Sequence, residues 1–341
     1  MKNFSQKINM PSLFEGKRSV LIAALLVSSS GVMACASCGC SLNSDWGTQG
    51  LSNQAGWSAD IRYDYLNQNQ LRSGTKKISP AVAATTTNSQ TGGNAEIEKF
   101  TKSQTITATL DYNNGEAWGV SLVVPTISRQ HSTLGVNGGG YSLGDAAYDS
   151  KISGIGDIKI IGRYYGLSEQ KNLGIQLGLK LPTGQKNQTG STGAAVDPGL
   201  QLGTGTTDLI VGAYYHDNWS DNLGYFGQAL YQRALNHSTM DAGSYRTGDS
   251  INLNVGVRYE AYEWIQPTLQ VNSRFVKADS GVAADTYATG GTLVYLTPGV
   301  IIPVGKSASI YSSVQLPIYQ RVNGIQLTPS YIFSVGAKFN F

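Results

Sequence analysis

Few residues in this sequence have types and spacing suited to chemistry, and they fall into three groups. Cys35, Cys38 and Cys40 are its only cysteines. The Cys-x-Cys spacing of Cys38 and Cys40 suits a soft metal such as Cu(I) or a redox-active bridge, which makes the pair a weak metal candidate. The plainer alternative is a tail whose thiols are oxidised and idle, and a lipidated Cys35 is disfavoured by Met33 beside it. His131-Ser132-Thr133 and His237-Ser238-Thr239 set an imidazole beside a hydroxyl, the pairing that activates a serine nucleophile in lipid hydrolases. Here the serine is adjacent to the histidine, and both sites fall in stretches read as loops. No catalytic residue is therefore assigned, and the chain is not expected to be an enzyme. The Gly-rich stretch at 190–193 lacks the Lys of a phosphate-binding loop. No cofactor is implied.

The third group is larger and periodic. Arg62, Lys159, Arg163, Lys180, Arg258 and Arg274, with Asp64, Asp208 and Glu260, sit in stretches where polar and apolar residues alternate. Side chains alternate across a strand with a period of two, so these charges share one face while apolar neighbours occupy the other. Residues 251–260 show it most cleanly: Ile251, Leu253, Val255, Val257 and Tyr259 against Asn252, Asn254, Gly256, Arg258 and Glu260. The same period governs residues 330–341, which end on Phe341 with only Ile332 out of phase. A long apolar stripe on a strand that ends the chain fits the closing strand of a transmembrane β-barrel better than an edge of a soluble sandwich.

Composition agrees. Charged residues are 14% of the 341, below the roughly 25% of soluble domains, while Gly (41) and Tyr (19) are abundant. A net charge of +3 gives no ground for a nucleic-acid partner. Lys2, Lys7, Lys17 and Arg18 precede an apolar run at 19–34, the pattern of a secretory signal. Cleavage after Ala36 is preferred to cleavage after Ala34. The expected organisation is an export segment at 1–36, a Gly/Asn/Ser-rich periplasmic tether at 37–54 carrying Cys38 and Cys40, and a barrel at 55–341.

Strands are expected at 57–65, 100–112, 118–126, 156–165, 173–182, 207–216, 223–233, 251–260, 265–275, 293–304, 308–319 and 330–341. Short turns and long polar loops alternate between them. This predicts an all-β, antiparallel, up-and-down barrel of about twelve strands, or ten or fourteen if a hairpin is miscounted. Pro125, Pro182 and Pro317 are expected near the long-loop ends of their strands, because proline cannot donate to a ladder.

Four stretches then carry a resemblance: GDIKIIGRY at 156–164, GLKLPTG at 178–184, QLGTGTTD at 201–208 and QLPIYQRVNG at 315–324. Together they resemble the family of outer-membrane transporters named for the MetA pathway of phenol degradation, from about residue 115 to the end. The resemblance implies a barrel that admits small, often hydrophobic or aromatic molecules. The terminal Phe341 likewise resembles the C-terminal signal of bacterial outer-membrane proteins, which implies the barrel-assembly machinery as a partner, outer-membrane lipid around the wall and a cell outer-membrane location. A small-molecule solute is the expected ligand. The charges listed above, with Asp60, Asp111, Asp157 and Lys338, would line a lumen of intermediate width, in which opposite signs nearly cancel and amides such as Gln176, Gln228, Asn254 and Asn272 fill the gaps. Their alternative role is to pair and brace the lumen. A closed structural or partner-binding barrel is the second reading of function.

Overall fold

The computed structural model describes residues 55–134, 143–144 and 147–341. The expected export segment and tether, with Cys35, Cys38 and Cys40, lie outside the described residues. The elements in order are β1 (Gly56–Gly74), β2 (Lys76–Lys77), α1 (Pro80–Ala84), β3 (Ile97–Asn113), β4 (Trp118–Leu134), β5 (Ala147–Ile155), β6 (Lys159–Tyr164), β7 (Leu173–Lys180), β8 (Asp208–Ser220), β9 (Leu223–Ala234), β10 (Ser238–Met240), β11 (Gly243–Tyr245), β12 (Ser250–Tyr259), β13 (Gln266–Val276), β14 (Gly291–Val304) and β15 (Ala308–Asn340).

Polarity is inverted relative to a water-soluble sheet. Along β7, Leu173, Ile175, Leu177 and Leu179 are exposed while Gly174, Gln176, Gly178 and Lys180 are buried. Exposed aliphatics and buried polar groups on one strand require an apolar medium outside and a polar interior. The sheet satisfies its own edges by closing. Antiparallel pairing runs β15-β14-β13-β12-β9-β8-β7-β6-β4-β3-β1 and returns to β15, with Tyr63 opposite Val335 and Ser58 opposite Asn340. Eleven strands make the ring, with β2 and β5 outside it. β15 is 33 residues long and doubles back near Asn323 and Gly324, so one arm pairs with β14 and the other with β1. Counting its arms separately gives twelve crossings, in line with the expected number.

Aromatic side chains cluster at the short-turn end. Tyr112 lies between Trp57 and Trp118 at ring distances of 5.0 and 5.6 Å, Trp219 stacks on Tyr225 at 4.8 Å, and Tyr262 bridges Tyr259 and Trp264. Amphipathic rings at one rim of an apolar wall form the girdle expected where hydrocarbon meets water.

The wall is uneven. About 9–11 residues suffice to cross a bilayer. β1, β3 and β4 run to 19, 17 and 17 residues, whereas β6 and β7 have only 6 and 8. The third expected strand therefore extends to Leu134, which puts His131 and Ser132 on a strand and corrects their reading as loop residues. The fourth begins at Lys159 and is preceded by β5, which the sequence did not reveal. β5 alternates in burial like its neighbours, but its outward side chains include Asp149, Lys151 and Ser153, so the hydrophobic contrast that marks a lipid-facing strand is missing.

The prolines separate in the same way. Pro182 lies past the end of β7, and Pro317 pairs with Tyr295 beside a register slip. Pro317 thus lies inside β15 and Pro125 inside β4, which corrects the expectation that all three stand near strand ends. Pro125 falls where β4 changes partner from β6 to β5, and its carbonyl accepts the Gly156 N–H at 2.9 Å.

At the long-loop end, residues 75–96, 181–207, 235–249 and 277–290 form a roof. Leu71, Ala83, Ala95, Ile97, Ile325 and Leu327 form one buried apolar cluster there, Ile152, Val196, Leu200 and Leu202 a second, and Met240, Tyr245, Ala283 and Ala284 a third. Gln90 ties two loops together by accepting the backbone N–H of Thr286 at 2.8 Å and donating to the Ala284 carbonyl at 2.9 Å.

Candidate functional site

Beneath the roof lies a cavity of about 310 Å³. Its lining runs from Ser58, Asp111 and Lys338 near the short-turn end to Pro198, Gly199, Tyr245 and Asp279 in the roof. Of the charges singled out from the sequence, Arg62, Asp64, Lys159, Arg163, Lys180, Asp208 and Arg274 line it. Arg258 and Glu260 do not. They pair with each other at the end of β12, next to the aromatic girdle. The period of two places their side chains on the inner face but carries no information on height, and they stand at the mouth.

Seven of the lining charges are held in three small networks. On β1, Arg62 Nε donates to Asp64 Oδ2 at 2.9 Å, two residues along one strand and so on one face, and Ser334 Oγ donates to the other oxygen at 2.6 Å. On β3, β4 and β6, Arg163 reaches Asp111 while also donating to Ser121 Oγ at 2.9 Å. Gly119 lies opposite Arg163, and a Cβ there would stand 3.2 Å from the guanidinium, so a side chain would crowd the route to Asp111. On β7 and β8, Lys180 Nζ lies 2.9 Å from Asp157 Oδ2 and 3.2 Å from Asp208 Oδ1. The Gln232 amide donates to Asp208 Oδ2 at 2.6 Å.

Asp157 does a second job. It occupies the break between β5 and β6, where its carboxylate accepts the backbone N–H of Gly184 and of Thr204, each at 3.0 Å. Both belong to the 181–207 loop, so this one side chain ties that loop to the wall at two points.

Gln232 lines the cavity as expected of the amides, whereas Gln176, Gln228, Asn254 and Asn272 make a ladder instead. Gln228 donates to Gln176 at 2.9 Å, Asn254 to Gln228 at 3.1 Å, Asn272 to Asn254 at 2.9 Å and Thr297 to Asn272 at 2.5 Å. Gly212 of β8 stands between the first two partners; a Cβ there would sit 2.7 Å from the Ala229 carbonyl, and its absence lets Gln176 reach across. The ladder braces the wall from β7 to β14, and none of its side chains lines the cavity.

An apolar facet was missed from the sequence. Val123, Pro125 and Ile127 of β4, Ile161 of β6 and Leu202 of the roof all line the cavity. The signal was present, since Val123 and Ile127 fall on the inner phase of β4, but unbroken apolar runs in this stretch hide which phase is which.

The two His-Ser pairs have separate fates. His131 and Ser132 are neighbours on β4 and point to opposite faces; the imidazole Nδ1 meets the Thr101 hydroxyl at 2.8 Å. Ser238 Oγ accepts a hydrogen bond from Lys186 Nζ at 3.0 Å. Among the described residues no three His, Cys, Asp or Glu side chains converge to hold a metal ion.

No family model matches the chain, and no curated protein matches it in sequence. The resemblance drawn from the four motifs thus rests on those motifs. Solved structures do match. The COG4313 outer membrane channel from Pseudomonas putida F1 superposes with a TM-score of 0.60 at 12% identity, over 84% of this chain and 96% of that one. A Pseudomonas aeruginosa FadL homologue (TM-score 0.44, 11% identity, 92% and 100% covered) and the CymD monoaromatic hydrocarbon channel (TM-score 0.44, 9% identity, 84% and 89% covered) are more distant. At such identity the likeness to the first is one of architecture: this chain has the closed antiparallel β-barrel fold of that outer-membrane channel.

Proposed function

We propose that this protein is an outer-membrane channel that passively admits small solutes having both an apolar face and polar groups. The observation that carries this reading is the cavity itself, which extends from the short-turn end to the roof and sets an apolar facet among three buried ion-pair networks. Charges neutralised by their neighbours leave little net field for a permeating ion, so selectivity between anions and cations is weak. An aromatic or branched aliphatic solute can rest on Val123, Ile127, Ile161 and Leu202, while its polar groups meet the lining hydroxyls and ion pairs. The short-turn end faces the periplasm in this orientation, and the roof faces outward.

The test is flux of sugars, aromatic acids and fatty acids through the purified, reconstituted chain, with single-channel conductance recorded in parallel. Passage of the amphipathic solutes and ion permeability of either sign are expected. A folded barrel that shows neither conductance nor flux, even after the roof is shortened, refutes the channel. The roof's three apolar clusters favour a second reading, a barrel kept closed whose outer loops bind a partner. Conductance of the intact protein separates the two.

A further inference from the structure

Four carboxyl groups gather in the roof, and only Asp279 among them also lines the cavity. Glu96 precedes β3, Asp197 lies in the 181–207 loop, and Asp279 and Asp285 lie in the 277–290 loop, yet each is close enough to influence the ionisation of another. Asp197, Asp279 and Asp285 are 9%, 3% and 7% exposed. Their compensation is partial. Neither carboxyl oxygen of Glu96 has a hydrogen-bond partner, the nearby Thr133 hydroxyl being committed to the Ile97 carbonyl, and Asp197 Oδ2 has none either. Asp197 Oδ1 accepts the Gly199 N–H at 2.6 Å, Asp285 Oδ1 accepts those of Tyr287 and Ala288 at 2.9 and 2.7 Å, and Asp279 accepts the Tyr245 hydroxyl at 2.9 Å and the Gly248 N–H at 2.8 Å.

The surrounding elements supply little positive charge. Arg274 of β13 faces Asp279, Tyr148 of β5 faces Glu96 and Asp197, and Tyr287 faces Asp285. Arg129 of β4 keeps its positive charge beside the 181–207 loop, where it donates to the carbonyls of Gly199, Leu200 and Gln201, and His131 lies near it. Glu98 of β3 adds another buried acid, which accepts the Leu327 N–H at 2.9 Å. Burial, offset in part by the Thr133 hydroxyl at Glu96 and by backbone N–H groups at Asp285 and Asp197 and reinforced by the neighbouring carboxyl groups, pushes Glu96 up to about 8 and Asp285 up to about 6, and holds Asp197 well above the ordinary carboxylate range.

We propose that this cluster is a proton-operated latch on the roof: while protonated it lets the three loops pack together, and on ionisation it drives them apart and opens the cavity to the long-loop side. This rests on the channel reading. The direction follows from linkage. Glu96 and Asp285 bind protons more tightly with the roof packed than when hydrated, where carboxyl groups titrate near 4. The packed form is thus favoured fully in acid. As pH rises from about 4, each such group shifts the open-to-packed ratio by up to about tenfold per pH unit, until its own raised value is passed. Asp285 contributes up to about pH 6 and Glu96 up to about pH 8.

The experiment records conductance of the reconstituted full chain from pH 5 to 9, beside the Glu96→Gln/Asp285→Asn double variant and a variant with residues 186–202 shortened. Expected are an open fraction that climbs with pH and levels off above about 8, a double variant that stays mostly closed throughout, and a shortened variant that conducts at every pH. A conducting wild-type protein with a flat profile, or a double variant with the wild-type profile, overturns the latch but leaves the channel standing. A folded shortened variant that is silent at every pH overturns both. If the double variant fails to fold, proteolysis of the wild-type roof loops decides: faster cleavage at pH 8.5 than at 5.5, corrected with an unstructured control substrate, supports the latch, and equal rates refute it.

Discussion

Replacing Lys180 by methionine should be one of the most costly single changes in the lumen. The side chain is only 5% exposed, and its ammonium is shared by Asp157 at 2.9 Å and Asp208 at 3.2 Å, with Thr206 Oγ1 at 3.3 Å. Unit charges at such separations attract by roughly 5–6 kcal/mol at an effective dielectric of 20, and desolvation cancels much of that while the network is whole. Removing only the cation keeps the desolvation penalty and leaves two buried carboxylates repelling each other. One-sided loss of a buried pair costs about 3–5 kcal/mol, and that is the expected loss for Lys180→Met. Adding Asp157→Asn and Asp208→Asn should recover at least about half, because an amide carries no charge and still accepts the Gly184 N–H. Urea titration of the protein folded in lipid vesicles, read by tryptophan fluorescence and by heat-modifiable gel mobility, measures both values. A single variant that loses less than about 1 kcal/mol, or a triple variant no more stable than the single, refutes the view that charge compensation organises this wall.

Two further perturbations probe other parts of the fold. Leu327→Ala empties the centre of the apolar cluster under the first roof loop, where Leu327 is fully buried with Leu71, Ile97 and Ile325; a loss of about 2–5 kcal/mol and faster cleavage within residues 75–96 are expected, and unchanged cleavage would place the loop's anchor elsewhere. Deleting Phe341 removes two backbone hydrogen bonds with Trp57, at 3.1 and 2.9 Å, each contributing about 0.5–1.5 kcal/mol, together with the aromatic end of the chain. Slower appearance of the compact gel form during refolding into vesicles is expected, and refolding at the wild-type rate contradicts the assigned role of the last residue.

How far the sequence could be read depended on what lies outside the wall. At residues 251–260 lipid-facing Ile251, Leu253 and Val255 alternate with Asn252 and Asn254, and the observed strand begins and ends within a residue of the expected bounds. Where strands rise above the apolar belt the outward positions turn polar, and period-two contrast vanishes; this hid β5 and the far halves of β1 and β4. Inner-face membership of the charges was legible for the same reason that height was not. Phase is a local property of a strand, whereas the level at which Arg258 and Glu260 stand follows from the stagger of all the strands. The roof lay furthest from view. Glu96, Asp197 and Asp285 come from loops remote in sequence, and no spacing rule links them; closure of the barrel brings their loops over one opening.

The pairing of β1 with β15 joins the first and last strands of the described chain, from Ser58 opposite Asn340 to Gly74 opposite Val322. Of all the neighbouring strands these are the most widely separated along the polypeptide, and contacts of such separation are the slowest to form. Every intermediate made before that meeting is an open ribbon with two raw margins, so a fragment released early has no sealed form to adopt. Until β1 and β15 meet, the unpaired N–H and C=O groups of both margins stay open to pairing with another chain, and closure of this one seam removes them.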